Sequence, residues 1–248
     1  MNLFNKPLPR ILFTLFLTGA TSAYAKFGFI QDKDGYVNLR ESSARYAVVI
    51  QQLKNDEIIS CQMEESKSKF CFISAPDLKQ NGYVYKNRIN FFKGFNTVSL
   101  AQYTALKAIY KNKDIVIEVA AIPAKQEDSL YTSLDEHGQR IYKYYKDKVF
   151  FGTDGDIPPL GFLQLDQITI KYKSKVLQLN AAQLEQYFFP SICLDEQQNE
   201  LADFEVFYLN DDVYIFNALN QGGAGGYNLL IQIRNGELMK PQAWREEI

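Results

Sequence analysis

The chain carries one histidine and three cysteines, so few residues offer imidazole or thiol chemistry. His137 stands in the hydrophilic run Asp135-Glu136-His137-Gly138, which reads as a surface turn. A single imidazole excludes metal sites built from several histidines, and any histidine-based catalytic triad has to use His137. Cys193 follows Pro190-Ser191-Ile192 and reads as a small buried hydrophobe rather than a nucleophile. Asp154 and Asp156, in the turn GTDGDIP (Gly152 to Pro158), stand two positions apart, as ligands of a hard cation often do. No acidic residue closes a twelve-residue loop there, and turn chemistry alone accounts for Asp-Gly. The run QGGAGGY (Gln221 to Tyr227) has the glycines of an anion cradle. It leads into a strand with no following lysine, so a tight or bulged connection is the better reading. These patterns predict no catalytic residue, no metal ligand and no cofactor.

The remaining chemistry is that of binding. Tyrosine offers a flat apolar face with a polar rim, suited to peptide or sugar recognition. Tyr36, Tyr46, Tyr83 and Tyr85 are candidates, and packing of the strands is the competing explanation for them. In Tyr36-Val37-Asn38-Leu39-Arg40 the period of two turns Val37 and Leu39 inward and Tyr36, Asn38 and Arg40 outward.

The 248 residues are 46% hydrophobic and 23% charged, which excludes collagen-like, coiled-coil and disordered classes. A net charge of -2 leaves no basic footprint for nucleic acid. Residues 1–25 read as a secretory signal peptide. Lys6 and Arg10 supply the positive end, Ile11 to Leu17 an apolar run too short to span a bilayer, and Ala23-Tyr24-Ala25 a cleavage pattern. The alternative, a membrane anchor, fits the short run less well. The expectation is a periplasmic or secreted protein that starts at Lys26, with no stable membrane insertion.

Export puts the cysteines in an oxidising compartment. Cys61 and Cys71 flank the polar stretch EESKSK, with strand-like sequence on both sides. A hairpin centred near Ser66 would set them opposite each other, which predicts a Cys61–Cys71 disulfide.

Residues 26–92 read as short strands broken by the turn dipeptides Asp34-Gly35 and Asn81-Gly82. Three ordered patterns here resemble the bacterial Src-homology-3-like (SH3-like) domain: Asp34 to Ser43, Val49 to Glu57, and Gly82 to Ile89. Phe70 takes the place of the family's usual tryptophan, and Asp56 that of a turn glycine. The resemblance implies a small β-barrel that binds peptides, cell-wall fragments or neighbouring domains and is not catalytic by itself. Strand alternation and tyrosine chemistry make Tyr36, Asn38, Arg40, Tyr83 and Tyr85 the expected binding set.

Residues 93–248 also read as β-rich, with strands around 115–119, 168–172, 176–179, 204–209, 213–216 and 227–233. Asn235-Gly236 signals a type I′ hairpin. One helix is expected, capped by Asn180 and Gln183, with Leu184, Tyr187 and Phe188 on one face and Pro190 as its stop. Residues 98–110 fit either a short helix or irregular structure. The segments GTDG-x-I-P and GAGGY resemble an uncharacterised exported bacterial family, which implies a grouping and no chemistry.

The expected fold is mainly β: an SH3-like barrel followed by an antiparallel β-rich (α+β) domain. The charge divides with it, 11 Lys+Arg against 8 Asp+Glu in 26–93 and 14 against 21 in 94–248. The expected function is a non-catalytic envelope protein that binds a peptide, a peptidoglycan fragment or a protein. The acidic second part also suits an inhibitor or immunity protein with a basic target. A third reading is a wall hydrolase targeted by its SH3-like domain, although no nucleophile or metal motif is recognisable.

Overall fold

A computed structural model describes residues 25–62, 68–189, 200–219 and 224–245, with only the backbone of Ala25 and Glu136. The signal-peptide reading of residues 1–24, Ser66, Pro190, Cys193 and residues 220–223 lie outside the described residues.

Seven strands come first: β1 (Ala25–Ile30), β2 (Tyr36–Arg40), β3 (Val49–Lys54), β4 (Ile58–Gln62), β5 (Phe70–Ser74), β6 (Gly82–Tyr85) and β7 (Ile89–Asn90). They form one antiparallel sheet in the order β3-β2-β6-β5-β4-β1-β7. Val37 and Leu39 enter its core with Ile30, Leu53, Ile59 and Val84. Asp56 takes a positive φ of 68° at the β3–β4 turn, the backbone shape a glycine would adopt there. Asn81-Gly82 is not a turn. The chain reverses at Ala75–Leu78, where the Leu78 amide donates to the Ala75 carbonyl, and Gly82 opens β6. A Cβ on Gly82 would stand 2.6 Å from the Arg40 carbonyl oxygen, so close strand approach, not chain reversal, explains this glycine.

The strands that follow are β8 (Asn96–Thr97), β9 (Leu100–Thr104), β10 (Lys107–Lys111), β11 (Ile115–Pro123), β12 (Tyr131–Glu136), β13 (Gln139–Tyr145), β14 (Lys148–Val149), β15 (Leu163–Tyr172) and β16 (Lys175–Leu179). A one-turn helix, α1 (Ala181–Leu184), precedes β17 (Glu205–Leu209), β18 (Asp212–Leu219), β19 (Tyr227–Arg234), β20 (Glu237–Leu238) and β21 (Gln242–Trp244). A five-stranded sheet runs β16-β15-β11-β10-β9, a six-stranded path runs β20-β19-β18-β17-β8 with β21 on β19, and β12-β13-β14 form a small sheet. All these ladders are antiparallel, so the mainly β class read from the sequence holds.

The β17–β19 sheet is covered on both faces. Val206, Val213, Ile215, Leu229 and Ile231 face the five-stranded sheet and share its core. The alternate residues Phe207, Tyr214, Phe216 and Leu230 face the N-terminal strands and pack with Phe27, Phe29, Ile58 and Phe92. Phe27 stacks on Phe216 at 4.4 Å and Phe92 on Phe207 at 4.5 Å. Two-sided burial explains why β18 and β19 read as near-continuous apolar runs rather than alternating ones. Sequentially remote segments thus meet in one aromatic layer.

Two local expectations are corrected. The capping box at Asn180 and Gln183 forms, but the helix ends at Leu184. Beyond it the chain extends beside β15: Leu165 donates to the Tyr187 carbonyl and Phe189 to the Leu163 carbonyl. Backbone pairing with an existing strand wins over a further helical turn. Residues 100–111 form the β9–β10 hairpin. The β9 side chains are almost all exposed, so no hydrophobic period marked the strand. The Asn235-Gly236 turn is as expected, with φ of 52° and 76° and the Arg234–Glu237 pair closing it.

Candidate functional site

β2 positions the expected binding residues. Tyr36 is 43% exposed, while Val37 and Leu39 are buried beneath it, so the inward–outward alternation holds. Tyr36, Asn38, Arg40 and Tyr85 line a common cleft of about 200 Å³. Arg40 stands opposite Tyr83 in the ladder, yet Tyr83 is not part of the lining and its ring packs on Phe72 at 5.1 Å. Tyr85 rests against Phe70 at 4.0 Å, so the buried Phe70 supports the cleft from beneath. Arg40 donates from Nη1 to the Ala47 carbonyl at 2.8 Å, and Gln52 Nε2 donates to Asn38 Oδ1 at 3.3 Å. Both bonds fix side chains that would otherwise lose rotamer freedom on binding. Tyr46, outside the cleft, is 88% exposed with Arg45 over its ring.

The cleft also holds Asp32 and Arg88, an ion pair that the sequence reading did not select. Arg88 was within the closing pattern of the resemblance, while Asp32 had only its place before the Asp34-Gly35 turn to mark it. The Asp34 amide donates to Asp32 Oδ1 at 2.8 Å. That bond, with Arg88 alongside, outweighs the opposing effect of burial and holds the carboxyl below its usual range. A depressed folded-state pKa supports stability above the unfolded-state value of about 3.9 and loses that support as pH falls through the folded value. Asp32→Asn is therefore expected to lower Tm at neutral pH, with the gap from wild type closing below about pH 4. A Tm difference that persists unchanged into acid would rule out the charge as its cause.

The other chemistry-bearing residues occupy structural places. Cys61 and Cys71 form a disulfide with a Cα–Cα distance of 5.7 Å. The register sets Cys61 opposite Ile73, not Cys71, so the bridge runs diagonally and the expected direct pairing is corrected by two positions. His137 sits at the exposed β12–β13 hairpin tip with φ of 52°. Asp154 lies 3.7 Å from Arg245 Nη1. The GTDG and GAGGY segments touch: a Cβ on Gly225 would meet the Gly152 carbonyl oxygen at 2.7 Å. Gly152 has φ of 114°, and a Cβ there would lie 2.4 Å from the Phe188 carbonyl oxygen. Close backbone approach accounts for both glycines. Tyr110 donates to the Leu201 carbonyl at 2.7 Å and accepts from the Phe204 amide, while Tyr227 donates to the Phe188 carbonyl. Burial pushes both phenols well above their ordinary pKa, which suits locks between strands and loops.

A larger groove, of about 890 Å³, escaped sequence reading altogether. Its walls come from the Pro76-Asp77 turn, β14, the α1 region and the run from Leu238 to Ala243. No local pattern joins segments so far apart in the chain.

Fold and clefts together define a layered antiparallel β protein with an aromatic, arginine-bearing surface cleft. Comparison with protein-family models, curated proteins and solved structures finds no match.

Proposed function

We propose that this chain is an exported, non-catalytic binding protein of the bacterial cell envelope. Its N-terminal unit takes a peptide, a peptidoglycan fragment or a protein on the face of β2 and β6. The observation that carries this reading is the cleft in which Tyr36, Asn38, Arg40 and Tyr85 converge. An aromatic face beside a guanidinium suits a ligand with both apolar surface and acceptor oxygens. The Cys61–Cys71 bridge supports an oxidising compartment, and the pattern in residues 1–25 supports export. No helix among the described residues is long and apolar enough to cross a membrane.

A pull-down on purified peptidoglycan tests the wall-fragment form of the proposal. The protein is expected in the pellet, and Tyr36→Ala with Arg40→Ala is expected to cut retention about tenfold or more while the circular dichroism stays unchanged. Absence of the wild type from the pellet would sink wall binding. Release of soluble muropeptides would overturn the non-catalytic reading.

A further inference from the structure

The groove of about 890 Å³ is separate from the β2–β6 cleft and does not depend on its reading. Its size falls within the roughly 300–1,000 Å³ of small-ligand sites. One wall is a sheet edge. β20 and β21 lie end to end along β19, with Leu238 opposite Ile233 and Gln242 opposite Leu230. No strand among the described residues pairs with their far side. An unpaired edge offers backbone donors and acceptors to another extended chain. Pro241 interrupts the edge and lacks an N–H, which restricts strand addition to a short segment.

The floor and charges narrow the occupant. Phe151 and Tyr187 stack at 6.0 Å and give an apolar base. Lys148 also lines the groove, but its ammonium is held by Glu185 at 3.0 Å. Lys240 and Asp77 line it too, and the side chain of neither makes an ion pair or hydrogen bond among the described residues. One free cation and one free anion complement a ligand with both charges. Gln186 also lines the groove, and its buried Oε1 accepts no hydrogen bond among the described residues. Beside Pro76, Asp77 and Gln242 the groove adjoins a recess of about 160 Å³, which gives it length.

We propose that this groove is a binding site for a short extended peptide with free amino and carboxyl ends. The peptide backbone pairs with the β20–β21 edge, its apolar side chains rest on Phe151 and Tyr187, Lys240 takes the carboxylate and Asp77 the ammonium.

The test uses the tetrapeptide Ala-Leu-Ala-Leu, whose leucines share one face when extended. One sample has free ends and the other is acetylated and amidated. Titration of the isotope-labelled protein at millimolar peptide is followed by amide NMR. The free peptide is expected to shift Met239, Lys240, Gln242 and Ala243 and the Gln186 side-chain amide. Blocking the ends, or Lys240→Ala with Asp77→Ala, is expected to weaken binding about tenfold or more. Tyr36→Ala is expected to leave this titration unchanged, which separates it from the β2–β6 cleft. Equal binding of the blocked peptide, shifts confined to other surfaces, or no shifts at all would overturn the proposal.

Discussion

Phe216→Ala is expected to destabilise the protein by about 4 kcal/mol, the central cost of emptying a large aromatic site in a packed core. Phe216 is fully buried. It stacks on Phe27 at 4.4 Å and meets Phe92 at 5.3 Å, so its ring fills the space between the N-terminal sheet and β18. For a chain of this length the loss corresponds to about 10 °C in Tm. The substitution also reports on cooperativity. The aromatic layer is shared, so the N-terminal and C-terminal strands are expected to unfold in a single transition. The sole tryptophan, Trp244, sits edge-on to Phe27 at 6.3 Å and donates from Nε1 to Ser74 Oγ at 3.0 Å. Its fluorescence therefore reads the interface directly. Two well-separated heat-absorption peaks in the wild type, or an unaltered Trp244 midpoint in Phe216→Ala, would contradict this account.

Loss of the Cys61–Cys71 bridge is expected to cost about 3 kcal/mol, from the chain entropy released when a ten-residue loop is freed in the unfolded state. Both sulfurs are held in the disulfide, so neither is expected to react with iodoacetamide without reductant, even in urea. Urea unfolding with and without reductant measures the effect. Because the bridge belongs to the N-terminal sheet and Trp244 to the far end of the chain, reduction should still lower the Trp244 midpoint. A midpoint that ignores reductant would show that the two regions unfold independently.

These two expectations differ in how they are read from sequence. Cys61 and Cys71 were legible because a local hairpin and an oxidising compartment suffice to pair them. The direct pairing was wrong by two positions because register depends on both β5 neighbours: Cys71 stands opposite Val84 on β6 while Cys61 meets Ile73. Most strands were legible through β-branched runs and turn dipeptides such as Asn235-Gly236. The helix at Asn180 was half legible. Its start is local chemistry, whereas its end was decided by hydrogen bonds to Phe151 and Leu163 that no local pattern encodes. Tyr36, Asn38 and Arg40 could be placed on one face because strand alternation is simple. Tyr83 could not be separated from Tyr85 in that way, since both lie on β6 with the same parity and only packing on Phe72 or Phe70 distinguishes them. Asp77, Gln186 and Lys240 form a groove only after folding, so their convergence had no linear signal.

The hydrogen bond between Trp244 and Ser74 spans 170 positions. During synthesis the N-terminal strands emerge long before Phe216 and Trp244, which cover Phe27. Their aromatic face then stays open to solvent until the β17–β21 segment arrives, and contacts of such separation form slowly. The nascent chain accordingly has a period of stickiness built into its topology. A holdase chaperone that recognises exposed phenylalanine would find its substrate in that interval, and shortening the chain before β18 would make the interval permanent.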